Sequence, residues 1–133
     1  MSSFNTLISD LKHSLVNYPH EDGHIAPAAS IVSQLLEDHE IEFLKYLMVS
    51  LPKDPDISFI ADTLRCVGHL APPEWSDILF QKALSHPSIV IRDAAVQMLE
   101  LNGRISILKT HKETVPWLKS YIEEVIKESE SSK

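Results

Sequence analysis

Apolar residues return at helical spacing along nearly the whole chain, and proline or glycine cuts that pattern into pieces of helical length. Phe4, Leu7, Ile8, Leu11, Leu15 and Tyr18 share one stripe, which Pro19 and Gly23 interrupt. Ile25, Ala28, Ala29, Val32, Leu35 and Leu36 form a second stripe. The acidic corner Glu37-Asp38-His39-Glu40 separates it from Ile41, Leu44, Leu47, Met48 and Leu51, closed by Pro52 and Pro55. A fourth stripe runs Ile57, Ile60, Ala61, Leu64, Val67 and Leu70 as far as Pro72-Pro73. Trp75, Ile78, Leu79 and Ala83 mark a fifth, ended by His86-Pro87. Ile91, Ala94, Ala95, Met98 and Leu99 mark a sixth, ended by Asn102-Gly103, a pair suited to closing a helix. A short seventh helix over 104–112 and an eighth carrying Val115, Leu118, Ile122, Val125 and Ile126 follow, with the polar stretch Glu128–Lys133 expected to fray. Residues three and four apart lie on one side of a helix, so each stripe is a side to be buried. With only three glycines and no strand-like alternation, the pattern predicts short antiparallel helices.

A second regularity joins these helices. Asp54-Pro55-Asp56-Ile57 lies over His86-Pro87-Ser88-Ile89, and Arg65-Cys66-Val67-Gly68 over Gln97-Met98-Leu99-Glu100, at an offset of 32 residues without a gap. One further step back reaches Asp22-Gly23, with Ile25, Ala29, Val32 and Leu35 in matching places. The stretch Ile91-Arg92-Asp93-Ala94-Ala95-Val96-Gln97-Met98-Leu99 follows Ala83-Leu84 and a proline turn. It resembles the second helix of HEAT repeats, whose pattern is V-R-x-A-A-x-x-A-L, with Ala94 and Ala95 allowing close helix approach. The resemblance implies an all-α fold: a right-handed α-α superhelix of about four antiparallel helical pairs, forming one domain over 1–133. The best repeats are 41–71 and 74–103, with 1–40 and 104–128 as capping pairs. HEAT repeats also carry a turn Asp and an Arg that together form a ladder. Here the Asp position holds Asp22, Asp54 and His86, and only Arg92 fills the Arg position, so the resemblance implies one rung, Asp54 to Arg92. Trp117, beside Pro116, is expected to cover the end of the core.

Charge narrows the function. Asp and Glu number 19 against 12 Lys and Arg, a formal charge of −7, which disfavours nucleic acid and anionic membranes and suits a basic protein partner. Cys66 is the one cysteine, so an intrachain disulfide is excluded and a reducing setting is expected. The N-terminus lacks the basic-then-apolar order of a signal peptide, and no apolar run approaches the ~20 residues of a bilayer span. A cytoplasmic protein, monomeric or weakly dimeric, is the expectation.

One motif points to chemistry. His20-Glu21-Asp22-Gly23-His24 matches the H-E-x-x-H of zinc peptidases, which requires both histidines on one face of a continuous helix. Pro19, the internal Asp-Gly and Pro27 instead predict a turn, so no metal or cofactor is expected. Cys66 falls in the register of Met98, a core position. No nucleophile motif or glycine-rich phosphate loop is present. Some HEAT-like proteins resemble chromophore lyases; for that alternative the nearest acid–base pair is His69 with Asp62.

In a HEAT-like stack the second helices line the concave surface. Ser30, Ser33 and Glu37 share a polar face on one such helix, Asp62, Arg65 and His69 on the next, and Asp93, Gln97 and Glu100 on the third. These nine residues predict a mildly acidic surface for a protein partner. The expected function is therefore non-catalytic binding, as an adaptor, assembly factor or immunity-type inhibitor.

Overall fold

A computed structural model of the chain describes residues 3–17 and 28–131. The described residues form eight helices and no strand. These are α1 (Phe4–Asn17), α2 (Ala28–Asp38), α3 (Glu40–Ser50), α4 (Ile57–Leu70), α5 (Pro73–Ala83), α6 (Ile89–Leu101), α7 (Ile105–Thr110) and α8 (Pro116–Ser131). The Ile25 start of the second stripe, the Asp22-Gly23 copy and the His20–His24 motif lie outside the described residues.

Local chemistry sets the helix ends. The Asp56 carboxylate accepts the Phe59 N–H at 3.0 Å and caps α4, and the Ser88 hydroxyl accepts the Val90 N–H at 3.2 Å and caps α6. Pro73 opens α5 at a position whose N–H has no helical partner. α6 closes as its Asn-Gly pair predicts. Gly103 takes φ 71°, its N–H donates to Glu100 O at 3.1 Å, and the Arg104 N–H reaches Leu99 O at 2.9 Å. α8 runs through Ser131, and Glu130 meets Lys109 of α7 at 3.1 Å.

The even-numbered helices form a continuous row: α2 packs on α4, α4 most extensively on α6, and α6 on α8. α3 and α5 pack on each other alongside that row. Arg104, at the start of α7, ties it to α5 through Asp77 at 3.2 Å and Glu74 at 3.6 Å. α1 lies against α2 and reaches α4, where the Lys12 ammonium sits 5.4 Å from the Phe59 ring centre. The apolar stripes meet in one cluster from Leu7 to Val125, with Leu11, Leu35, Phe43, Leu64, Phe80, Leu99 and Leu118 fully buried. Ala94, Ala95 and Cys66 are fully buried as well.

α4 and α6 pack tightly at Gly68. A methyl group there would overlap the Met98 side chain from Cβ to Sδ, while Asn102 Nδ2 donates to Gly68 O at 3.1 Å. Only glycine leaves room for that methionine.

Two expectations are corrected. Trp117 does not cover the core; it is 55% exposed, because Leu118, Ile122 and Val125 supply the buried side of α8. The Asp54–Arg92 rung is also replaced. Asp54 accepts the N–H of Asp56 in its own turn at 2.9 Å. Arg92 instead forms a bidentate pair with Glu113, Nε to Oε1 at 3.0 Å and Nη2 to Oε2 at 3.1 Å, and its Nη1 donates to His86 O and Pro87 O, both at 2.9 Å. The rung therefore runs forward, from α6 to the turn before α8. The Glu113 side chain is only 2% exposed and also meets His111 Nε2 at 2.9 Å.

Burial alone would raise the Glu113 pKa. Hydrogen bonds from Arg92, His111 and the Val115 N–H, with the Arg92 charge, instead lower it from 4.5 to about 2. A depressed folded-state pKa adds stability that is complete above about 4.5 and lost as pH falls toward 2. Urea midpoints measured from neutral pH down to this range should fall in the wild type and fall less steeply in Glu113→Gln. The variant should also be less stable at neutral pH by about 1–3 kcal/mol. At the seam, Gly68→Ala should cost about 1–3 kcal/mol in the same assay, and Met98→Ala in that background should cost less than it does alone.

Candidate functional site

The nine polar residues expected on the second helices occupy α2, α4 and α6, members of the continuous row. Ser30, Ser33 and Glu37 are exposed on α2, and His69 is exposed near the end of α4. Asp62, Arg65, Asp93 and Gln97 are half-buried and joined. Arg65 Nη1 donates to Asp62 Oδ1 at 3.1 Å, Arg65 Nε donates to Gln97 Oε1 at 3.1 Å, and Gln97 Nε2 donates to Asp93 Oδ2 at 3.2 Å. Arg65 and Gln97 are 32 residues apart, the offset at which the two stretches align in the sequence, and they bond directly. Glu100 pairs outside the expected set: it accepts the Tyr121 hydroxyl of α8 at 2.6 Å.

Electrostatics follow from this arrangement. Burial pushes the Asp93 carboxyl above its usual range, against the pull of the Arg65 charge. Burial, the bond to Glu100, and the charges of Glu100 and Asp93 raise the Tyr121 phenol, so it stays a donor. The Cys66 thiol is pushed up to about 11 by burial and then by the Asp62 charge, which keeps it protonated. Asp62 and His69 are seven residues apart on α4, about 10 Å along the axis, and Asp62 is engaged by Arg65. Among the described residues no group of three or more His, Cys, Asp and Glu is placed to hold a metal ion, and no helix is long and apolar enough to cross a membrane.

Apolar side chains stand beside the polar chain. Val90 is 45% exposed and Leu101 54%, and both share a side of α6 with Gln97 by helical spacing. Trp117 lies one turn before Tyr121 on the same side of α8. Past Tyr121, Glu100, Gly103, Ile105, Val125 and Glu128 line a depression of ≈ 270 Å³ between the end of α6 and α8. Trp117, Tyr121, Val90 and Leu101 were missed as members of this surface. The signal available was the i, i+4 spacing of the two aromatics on the second helix of the last pair.

No family model, curated protein or solved structure matches the chain. What this surface can do follows from its geometry: it holds polar groups in fixed positions next to exposed aromatic and aliphatic side chains.

A double-mutant cycle on Arg65→Ala and Gln97→Ala, read by urea denaturation, should return a coupling of about 0.5–1.5 kcal/mol.

Proposed function

We propose that this chain is a HEAT-like right-handed superhelix of about four helical pairs that acts by binding another protein, with the even-numbered helices as the binding face. The observation that carries this reading is the Arg65–Gln97 bond between α4 and α6 at positions 32 residues apart, with Val90 and Leu101 exposed on the Gln97 side of α6. Side chains already held by Asp62 and Asp93 lose little freedom when a partner arrives. Exposed tryptophan and aliphatic groups next to satisfied polar ones match the composition of protein interfaces. Adaptor, assembly-factor and immunity-type roles all use such a face, and the protonated, buried Cys66 suits a reducing cytoplasm.

The test is affinity capture from native lysate with three baits. These are the wild type, Val90→Glu/Leu101→Glu on the face, and Ile41→Glu/Val49→Glu at exposed positions of α3. One stoichiometric protein held by the wild type and the α3 variant, but released by the face variant, supports the reading. Release by the α3 variant alone, or no stoichiometric protein on any bait, refutes it. Circular dichroism of each bait establishes that the fold is kept.

A further inference from the structure

The Glu113 carboxylate is held as a bound ligand would be. Its Oε1 meets Arg92 Nε at 3.0 Å and His111 Nε2 at 2.9 Å. Its Oε2 accepts from Arg92 Nη2 at 3.1 Å, the Thr114 N–H at 3.1 Å and the Val115 N–H at 3.0 Å. A carboxylate offers about four lone-pair sites, so these contacts engage it fully.

The guanidinium at the centre of this seat is aimed by other groups. Arg92 Nη1 donates to His86 O and Pro87 O, both at 2.9 Å, and the side chain is only 13% exposed. Nε and Nη2, the pair that grips a carboxylate at two points, are thereby turned toward the seat. Taking the Glu113 carboxylate away would leave a largely buried cation without its counter-charge, a costly state that an incoming anion relieves. A planar anion with two oxygens matches the guanidinium fork, and a single-atom anion such as chloride does not.

Depressions flank the seat on two sides. Glu113, His111 and Lys112 line a groove of ≈ 380 Å³ between α7 and α8, and the same three residues line a depression of ≈ 390 Å³ beside His86, Pro87 and Arg92. Lys112, exposed at both, adds positive charge along the approach.

We infer that Arg92, His111 and the Thr114 and Val115 amides form a carboxylate-binding site that the chain fills with its own Glu113. Glu113 is then a tethered ligand that latches the turn before α8 onto α6, and a small free monocarboxylate takes the seat once that side chain is cut back. The tether gives Glu113 an effective concentration on the order of millimolar or more, so a free carboxylate competes poorly with it in the wild type.

The experiment titrates the isotopically labelled full chain with sodium acetate, and with sodium chloride at matched ionic strength, in the wild type, Glu113→Ala and Glu113→Gln. In Glu113→Ala, acetate should shift the Arg92 Nε–H and the Thr114 and Val115 amide signals along a saturating curve. It should also raise the urea midpoint of that variant by more than that of the wild type. Chloride should do neither. The wild type and Glu113→Gln should not bind acetate there, because their longer side chains still fill the seat. Arg92→Lys in the Glu113→Ala background should weaken acetate about tenfold. If Glu113→Ala is unfolded in chloride, acetate should restore its helical circular dichroism. Equal effects of acetate and chloride, an equal acetate response in all three chains, indifference to Arg92→Lys, or no acetate response in Glu113→Ala would overturn the inference.

Discussion

The seam between α4 and α6 is the constraint from which the other placements follow. Tight packing within it depends on an absent atom: Gly68 has no Cβ, and the Met98 side chain occupies the space one would take. Two polar contacts span the same seam, Asn102 to Gly68 O and Arg65 to Gln97. With α4 and α6 fixed against each other, α2 and α8 take the flanking places in the row, and the polar side chains of adjacent helices come within bonding distance. A looser seam would separate Arg65 from Gln97 before it exposed the buried leucines, because hydrogen bonds fail over a few tenths of an ångström while apolar burial declines gradually.

The turns follow a common chemistry under different residues. Asp54, His86 and Glu113 each accept the N–H of the residue two positions on: Asp56 at 2.9 Å, Ser88 at 2.9 Å and Val115 at 3.0 Å. For His86 the acceptor is Nδ1, so the imidazole does what a carboxylate does in the other two turns. A turn that needs only an acceptor tolerates this exchange. A ladder rung needs a charge, and that is why Arg92 ends on Glu113 and offers its remaining donor to the His86 and Pro87 carbonyls. α7, with six residues, shortens the last helical pair and brings Glu113 within reach of Arg92.

Much of the helix layout was legible because the apolar stripes and their Pro, Gly and Asn-Gly interruptions are local signals. The stripes marked Leu11, Leu64, Leu99 and Leu118, all now in the core, and the cap at Asn102-Gly103 formed as its sequence implies. The seam of the repeat was partly legible: the offset of 32 aligned Arg65 with Gln97, yet nothing in it said that they would bond. The forward rung was not legible, since Glu113 falls outside the 32-residue register and its role depends on how short α7 is. Trp117 was misplaced for a related reason. A tryptophan at a helix start fits either side of an amphipathic helix, and only the packing of Leu118, Ile122 and Val125 decides which side is buried.

The polar chain on the even-numbered row also explains how an acidic face can be rigid. Carboxylates gathered on one surface would ordinarily repel and loosen it, but Asp62 is neutralised by Arg65, Asp93 is held by Gln97, and Glu100 is held by Tyr121. Each of these carboxylates is fixed through one oxygen, which leaves its orientation set and its charge directed along the surface. Arg65 therefore acts as a strut within this surface: its Nε and Nη1 are both committed to side chains of the row. Removing the Arg65 charge would make the surface more negative and less ordered at once. The net charge of this surface and the order of its side chains are thus set by the same residue.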